Sequence, residues 1–489
     1  MASLQEIREE RLKKLEKIEA KGISPYPIHT DRDLSLAEIR KNFDDLEKEG
    51  NVLTLAGRIM SIRGQGAILF LTLDDGTAQF QGVLKKDEVG EEAKNFFDEV
   101  VDIGDFIALS GTLMKTKRGE PSVLVKEWRM LSKSLRPLPE KWHGLQDVEE
   151  KSRKRYLDTL MSEESKTRFV LRSKIISAVR AFLDHAGFLE VETSILQSLA
   201  GGATAKPFVT HHEALDIDLH LRVAVELFHK RLLIGGFPKI YEIGRNFRNE
   251  GIDATHNPEF TMLEYYEAYS DGAKQQDFVE ALVRSVVENV FGKLQIEHDG
   301  ETIDFAKDFE RITFFDLLKK YAGIDDPDSL TPEEAKAHAA RLGVELQKKE
   351  SFEEVVDKIY KKVCRPKLIQ PTFITDYPVA FSPFAKRKED NPDFIDRFQF
   401  VVGGFEIVNA FSELNNPIDQ KLRYEEQDRK RKEGSVEISP SDQDFLEAME
   451  YGMPPAGGVG IGIDRLVMLL TDTQNIRDVI LFPTLKPKG

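Results

Sequence analysis

An arginine two residues before a glutamate, Arg248 and Glu250 in RNFRNEG, opens a stretch suited to handling anions. The planar fork of a guanidinium donates two parallel hydrogen bonds, which fits a phosphate or a carboxylate. A polar loop with His256 and Asn257 follows and is closed by Pro258. Phe260, Met262, Glu264 and Tyr266 then alternate, so as a strand they share one face. That face carries a ring, a carboxylate and a phenol, and a buried face seldom holds an unpaired carboxylate. The same alternation also fits an antiparallel hairpin whose polar side is simply solvated.

Two later stretches carry related groups. In FEIVNAFSEL, Asn409, Phe411 and Glu413 share strand parity. Glu406 is out of phase with them, which calls for a bulge or a different partner. In GGVGIGIDR, alternating glycines run into Asp464 and Arg465. Such glycines would let a nucleotide approach the backbone, with the Arg465 guanidinium lying over it. The spacing is not the G-x-G-x-x-G dinucleotide fingerprint. Earlier, Glu226 opens a helix after a strand; on its own it reads as a first-turn acid. The adjacent His211 and His212 would point to opposite faces of a strand, a poor arrangement for two metal ligands.

The chain that must position these groups has 489 residues, enough for two or three domains. Its 40% apolar and 31% charged content is that of a soluble globular protein. One cysteine, Cys364, excludes a disulfide framework and a cysteine zinc site. The net charge of −16 decides little, because RNA binding depends on local basic patches. No apolar run approaches the ~20 residues of a membrane span, and MASLQEIREERLKK lacks the apolar core of a secretion signal. A cytoplasmic protein without a membrane partner is expected.

In chain order, residues 1–50 read as a helical arm, with a helix over 3–22 whose Lys and Arg form either a solvated face or a contact to RNA. Residues 51–134 read as five short strands with DDGT and RGEP turns and a helix, EEAKNFFDEV, between the third and fourth. That is the plan of an OB-fold barrel, which commonly holds single-stranded nucleic acid. A proline-marked linker spans 135–150, and 151–489 forms a second domain with a charged helical insertion over about 305–365. The expected class is α+β.

FRNE, a loop, then HNPEFTMLEYY resembles motif 2 of class II aminoacyl-tRNA synthetases, in the wording of the bacterial lysyl branch. SKIISAVRAFLDHAGFLEVETSIL resembles motif 1 and PPAGGVGIGIDRLVMLL motif 3, so the resemblance runs over roughly residues 3 to 487. It implies an OB-fold anticodon-binding domain and an antiparallel catalytic sheet. The activity implied is ATP-dependent conversion of L-lysine to lysyl-adenylate and its transfer to the 3′ end of tRNA(Lys), by a homodimer using Mg²⁺. By the same resemblance Arg248 and Arg465 act on the reacting phosphate, and Glu250, His256, Asn257, Phe260 and Glu406 complete the ATP site. Glu226, Glu264, Tyr266, Asn409, Phe411 and Glu413 would hold lysine. Glu406, Gln399 and Glu413 would meet the metal, and Arg63, Phe70, Gln79 and Glu127 would read the anticodon.

Three positions depart from the lysyl pattern. Ser194 replaces a motif 1 proline and its fixed φ. Lys206 stands where arginine is usual, and Gln399 where a metal-carrying glutamate is usual. The lost charge at Gln399 predicts a raised Mg²⁺ requirement. The alternatives are an aspartyl or asparaginyl enzyme of the same subclass, a lysyl-transferring paralogue, and a catalytically weakened tRNA-binding protein. An acid-lined pocket disfavours the first, and the OB domain disfavours the second.

Overall fold

The computed structural model describes residues 3–139, 147–203, 205–347, 350–382, 384–432 and 441–488. The chain forms two compact units, 1–144 and 145–489.

In the first unit, alternating apolar residues such as Leu69, Leu71 and Leu73 turn inward and are buried. The strands Val52–Gln65, Ile68–Asp74, Gln79–Lys85, Phe106–Lys115 and Pro121–Ser132 close into a barrel, the last lying between the third and fourth. Gly76 and Gly119, at φ +85° and +82°, turn two of the hairpins. At the Ser110/Gly111 register shift, a Cβ on Gly111 would sit 2.0 Å from the Leu124 carbonyl oxygen, so that bulge needs glycine. The helix Glu91–Val100 packs Phe97 edge-on against Trp128, with ring centroids 5.1 Å apart.

Residues 1–50 belong to this unit and do not form a free-standing arm. The helix Leu4–Ala20 starts in a Ser3–Glu6 capping box and buries Arg11, whose guanidinium donates to the carbonyls of Ile103, Ser134 and Arg136. Lys14, Lys17 and Lys21 pair with Asp102, Glu99 and Glu92 at 2.7, 2.6 and 2.9 Å. Much of the basic character noted in the sequence is therefore engaged within the unit.

The second unit is built on an eight-stranded sheet. Its spatial order is Glu310–Thr313, Thr372–Thr375, Arg397–Val402, Phe405–Ser412, Ala456–Gly462, Glu259–Ala268, Lys239–Phe247 and Leu189–Glu190. Pairing is antiparallel except at the two edges. Strand parity divides the sheet into two faces. Leu263, Tyr265, Val408, Ala410, Val459 and Ile461 pack into the main core, with Val179, Leu183, Val283, Val287 and Leu466 from the covering helices. Their neighbours Met262, Glu264, Tyr266, Asn409 and Phe411 thus take the opposite face.

The inserted segment is not helical throughout. Glu310–Thr313 is an edge strand of the main sheet, and only beyond it do the helices Phe314–Leu317, Pro332–Arg341 and Phe352–Ile359 bury Leu317, Ala335, Ala339, Val355 and Ile359 in a second core shared with Ile374, Val401 and Phe411 of the sheet. The four-residue strand ERIT was hidden by the charged composition around it.

Candidate active site

The central hairpin pairs Lys239–Phe247 with Glu259–Ala268, so Glu242 lies opposite Glu264. The buried Arg222 guanidinium holds its base, donating to the Arg245 carbonyl at 2.8 Å and pairing with Glu242 at 2.5 Å. Glu242 also accepts from the Thr193 hydroxyl at 2.8 Å. Just past the first strand, Arg248 donates its backbone N–H to the Pro258 carbonyl at 2.8 Å, which fixes the loop mouth. Its guanidinium carbon lies 5.1 Å from the centre of the Phe260 ring, and its buried Nε has no hydrogen-bond partner among the described residues. Burial pulls the Arg248 pKa down, against the attraction of Glu250 and Glu264.

A cavity opens here, lined by Arg248, Glu250, His256, Asn257, Phe260, Met262, Glu406, Asn409, Gly460, Gly462 and Arg465. It gathers every residue assigned to ATP. Asn257 is buried and turns its amide inward, donating to the Glu259 carbonyl at 2.6 Å. Arg465 reaches His256 Nε2 at 3.0 Å and the Glu406 carbonyl at 3.2 Å. Asp464, which sequence reasoning passed over, ties the strand–helix junction down: it accepts from Arg172 at 2.6 Å and from the Thr261 backbone N–H at 2.7 Å. Glu406 reaches this face through a bulge, because Phe400 pairs with Val408 and Val401 with Glu406, leaving Ile407 as the extra residue.

Beside the cavity, where the helix Glu226–Ile234 packs on the sheet, lies a buried acid cluster. Glu264 accepts from the Tyr266 hydroxyl at 3.0 Å and from the Val225 N–H at 3.4 Å. Glu226 and Glu413 converge on a residue the sequence reading did not select, the fully buried Lys230, at 2.6 and 2.5 Å. Burial pushes the Glu413 carboxyl up to about 8, against the pull of Lys230, and raises Glu226 as well. Phe411 lies 5.6 Å from the Lys230 ammonium, and the Asn409 amide oxygen accepts from Arg397 at 2.9 Å.

The glycines of Ala456–Gly462 have a different use from the one expected. A Cβ on Gly458 would fall 1.8 Å from Glu413 Oε1 and 2.6 Å from the Tyr266 ring, and one on Gly460 would fall 2.5 Å from Met262. They make room for neighbouring side chains, while Gly460 and Gly462 also line the cavity, and Gly462, with Arg465 nearest at 3.8 Å, keeps the open approach anticipated for a nucleotide.

Two of the metal assignments do not survive the geometry. Glu413 faces Lys230, and the carbonyl oxygen of Gln399 accepts from the hydroxyls of Tyr360 and Tyr377 at 2.9 and 2.8 Å. Glu406 alone remains at the cavity, and no group of three or more His, Cys, Asp or Glu among the described residues could hold a metal ion. The donor set does not fit a metal held by the protein. His211 contacts Asp216 and Asp218, as a surface histidine does.

On the barrel, Arg63 lies directly across from Phe70 on the neighbouring strand. Arg63 and Gln79 line one groove with Arg40, Gln81, Arg118 and Glu120. Glu127 is not among them. Register explains this: Ser122 is level with Gln81, and five residues on, Glu127 pairs with Ser110 toward the other end of the strand. The acid in this groove is Glu120, carried by the RGEP turn.

Comparison with known proteins bears on this arrangement directly. Residues 147–486 match the family model described as tRNA synthetases class II (D, K and N), and residues 53–131 match the OB-fold nucleic acid binding domain. The chain belongs to the class II tRNA synthetases. A lysine–tRNA ligase of Pelotomaculum thermopropionicum is 50% identical over 99% of this chain and 96% of its own length. Those of Moorella thermoacetica and Enterococcus faecalis are 49% and 46% identical over 98% and 99% of this chain and 97% and 99% of their own. In this class II synthetase the central hairpin is motif 2, and the Gly462–Arg465 junction is motif 3.

Proposed function

We propose that this protein activates L-lysine with ATP and transfers it to tRNA(Lys). The observation that carries the reading is the juxtaposition of an arginine-lined nucleotide cavity with a pocket walled by Glu226, Glu264 and Glu413. A buried ammonium must be paired, and that pocket offers carboxylates where an aspartate side chain would be repelled. Aspartyl and asparaginyl readings fit it poorly.

In the first step an oxygen of the lysine carboxylate attacks the α-phosphorus and pyrophosphate leaves. Two anions must meet, so catalysis is mainly positioning and charge neutralisation. Arg248, with its free Nε, grips the α-phosphate and the substrate carboxylate. Arg465 and His256, already in contact, face the triphosphate, Phe260 packs on the adenine and Glu250 accepts from its amino group. Glu264 and Glu413 hold the ε-ammonium with Tyr266, Glu226 and Asn409 take the α-amino and carboxylate end, and Phe411 covers the stem. In the second step a 3′-terminal ribose hydroxyl of the tRNA attacks the carbonyl carbon and AMP leaves. The barrel groove lined by Arg63, Gln79 and Glu120 is assigned to the anticodon, with Phe70, across from Arg63 on the neighbouring strand, stacking on a base.

Mg²⁺ remains part of the proposal as an ion carried with the ATP phosphates, and of the residues first assigned to it only Glu406 lines the cavity. Homodimerisation and a cytoplasmic location are also proposed. The first is supported by the exposed apolar Leu189, Leu196, Val209, Leu215 and Ile217 in and near the motif 1 region, the second by the absence of any helix among the described residues long and apolar enough to cross a membrane. The deciding experiment is ATP–pyrophosphate exchange with each of the twenty amino acids. Exchange with lysine alone is expected, and exchange with aspartate or with none would overturn the reading.

A further inference from the structure

Lys230 lies one turn beyond Glu226 on the helix Glu226–Ile234 and is 0% exposed. Its ammonium bridges Glu226 Oε1 and Glu413 Oε2 at 2.6 and 2.5 Å. The rings of Phe384, Phe411 and Phe445 surround it with centroids at 5.3, 5.6 and 6.0 Å. A side chain held this way has no route to solvent, and an ammonium so enclosed persists only because carboxylates pair with it.

The charges around the pocket can be counted from these contacts. With Glu226, Glu264 and Glu413 all ionised, the state that entering ammonium groups favour, Lys230 as the cation among them leaves two negative charges for a substrate to match. The lysine cation brings two ammonium groups, and its carboxylate has Arg248 to meet it. The deficit and the substrate agree. A monoamino acid of the same length would leave one carboxylate buried without a partner, the costly case.

We infer that Lys230 is a specificity-determining positioning residue, resting on the lysine-activating reading above. It takes one oxygen of Glu226 and one of Glu413, so each carboxylate presents its other oxygen to the substrate. Glu413 Oε1 is the one that packs toward Gly458 and Tyr266, and it has no hydrogen-bond partner among the described residues. Lys230 thereby fixes both the orientation of the acids and the number of positive charges the pocket will accept. It does this without touching the reacting atoms.

The test is ATP–pyrophosphate exchange on the full-length protein with Lys230→Gln and Lys230→Met, both of which remove the charge and shorten the side chain by a single atom. Lysine KM, ATP KM and the preference for lysine over norleucine, which has the stem but no ε-ammonium, are read together. The expected result is a lysine KM raised about 10- to 100-fold and a lysine preference lowered by a similar factor, with ATP KM within about threefold of the parent. Lysine KM unchanged within threefold, or lysine and ATP KM rising together with the preference intact, would overturn the inference. Loss of the thermal unfolding transition in both variants would assign Lys230 to fold stability and overturn it as well. Absence of lysine-dependent exchange in the parent protein would remove the functional reading itself, whereas the variant results bear on Lys230 alone.

Discussion

Arg248, half-buried, and Glu413, fully buried, are ionisable groups of one site, yet they answer pH and substitution differently. The Arg248 fork can give two parallel hydrogen bonds that a lysine ammonium cannot reproduce. Arg248→Lys is therefore expected to lower the exchange rate about 100-fold or more, with the melting temperature near that of the parent. For Glu413, burial lifts the carboxyl from its ordinary 4.5 to about 8. Its charged form, the one that pairs with an ammonium, is populated only as pH rises through that value. Lysine KM should fall between pH 6.5 and 8.5, and a KM that rises over that range would contradict the assignment. These residues were legible in different degrees. Arg248, Glu264 and Tyr266 announced themselves by type and alternation, whereas Lys230 was not singled out, because burial of a whole helix face by other segments leaves no local trace. Gln399 was misread for a related reason, since the tyrosines that occupy its oxygen come from residues 360 and 377.

At the level of elements, the sheet works by parity: one side of each strand is core and the other is site. The barrel strands and their turns could be placed from alternation and Asp-Gly signals, because those are local. The strand Glu310–Thr313 could not, because it is defined by its pairing with another strand, whereas the bulge at Ile407 was signalled by the broken parity of Glu406 and only its position needed the pairing. Gly458 shows how tightly the elements fit. Gly458→Ala puts a methyl where Glu413 and Tyr266 lie, and overpacking of about 1–3 kcal/mol should raise lysine KM about tenfold or more while ATP KM stays near its parent value. A variant with normal lysine KM would show that the strands yield more easily than this packing indicates.

Across the whole molecule, the two units divide the labour, and a substitution in one should report on one half-reaction. Phe70→Ala is expected to leave ATP–pyrophosphate exchange unchanged and to lower the efficiency of tRNA charging about tenfold or more, the scale of one lost base stack. Glu120→Ala should behave in the same way and Glu127→Ala should not, a contrast that filter-bound aminoacylation would read directly. Equal losses at both positions would contradict the groove as drawn.

The order of strands in the catalytic sheet bears on how the protein is made. Ala456–Gly462 lies between Phe405–Ser412 and Glu259–Ala268, so the seam at the middle of the site joins segments far apart along the chain. On the ribosome, the barrel can close while the catalytic unit is still being synthesised. Motif 2 must then wait, with Glu264 and Tyr266 lacking their neighbour, until translation has passed residue 462. A nascent chain stalled before that point would carry a finished tRNA-binding barrel and no competence to recognise an amino acid.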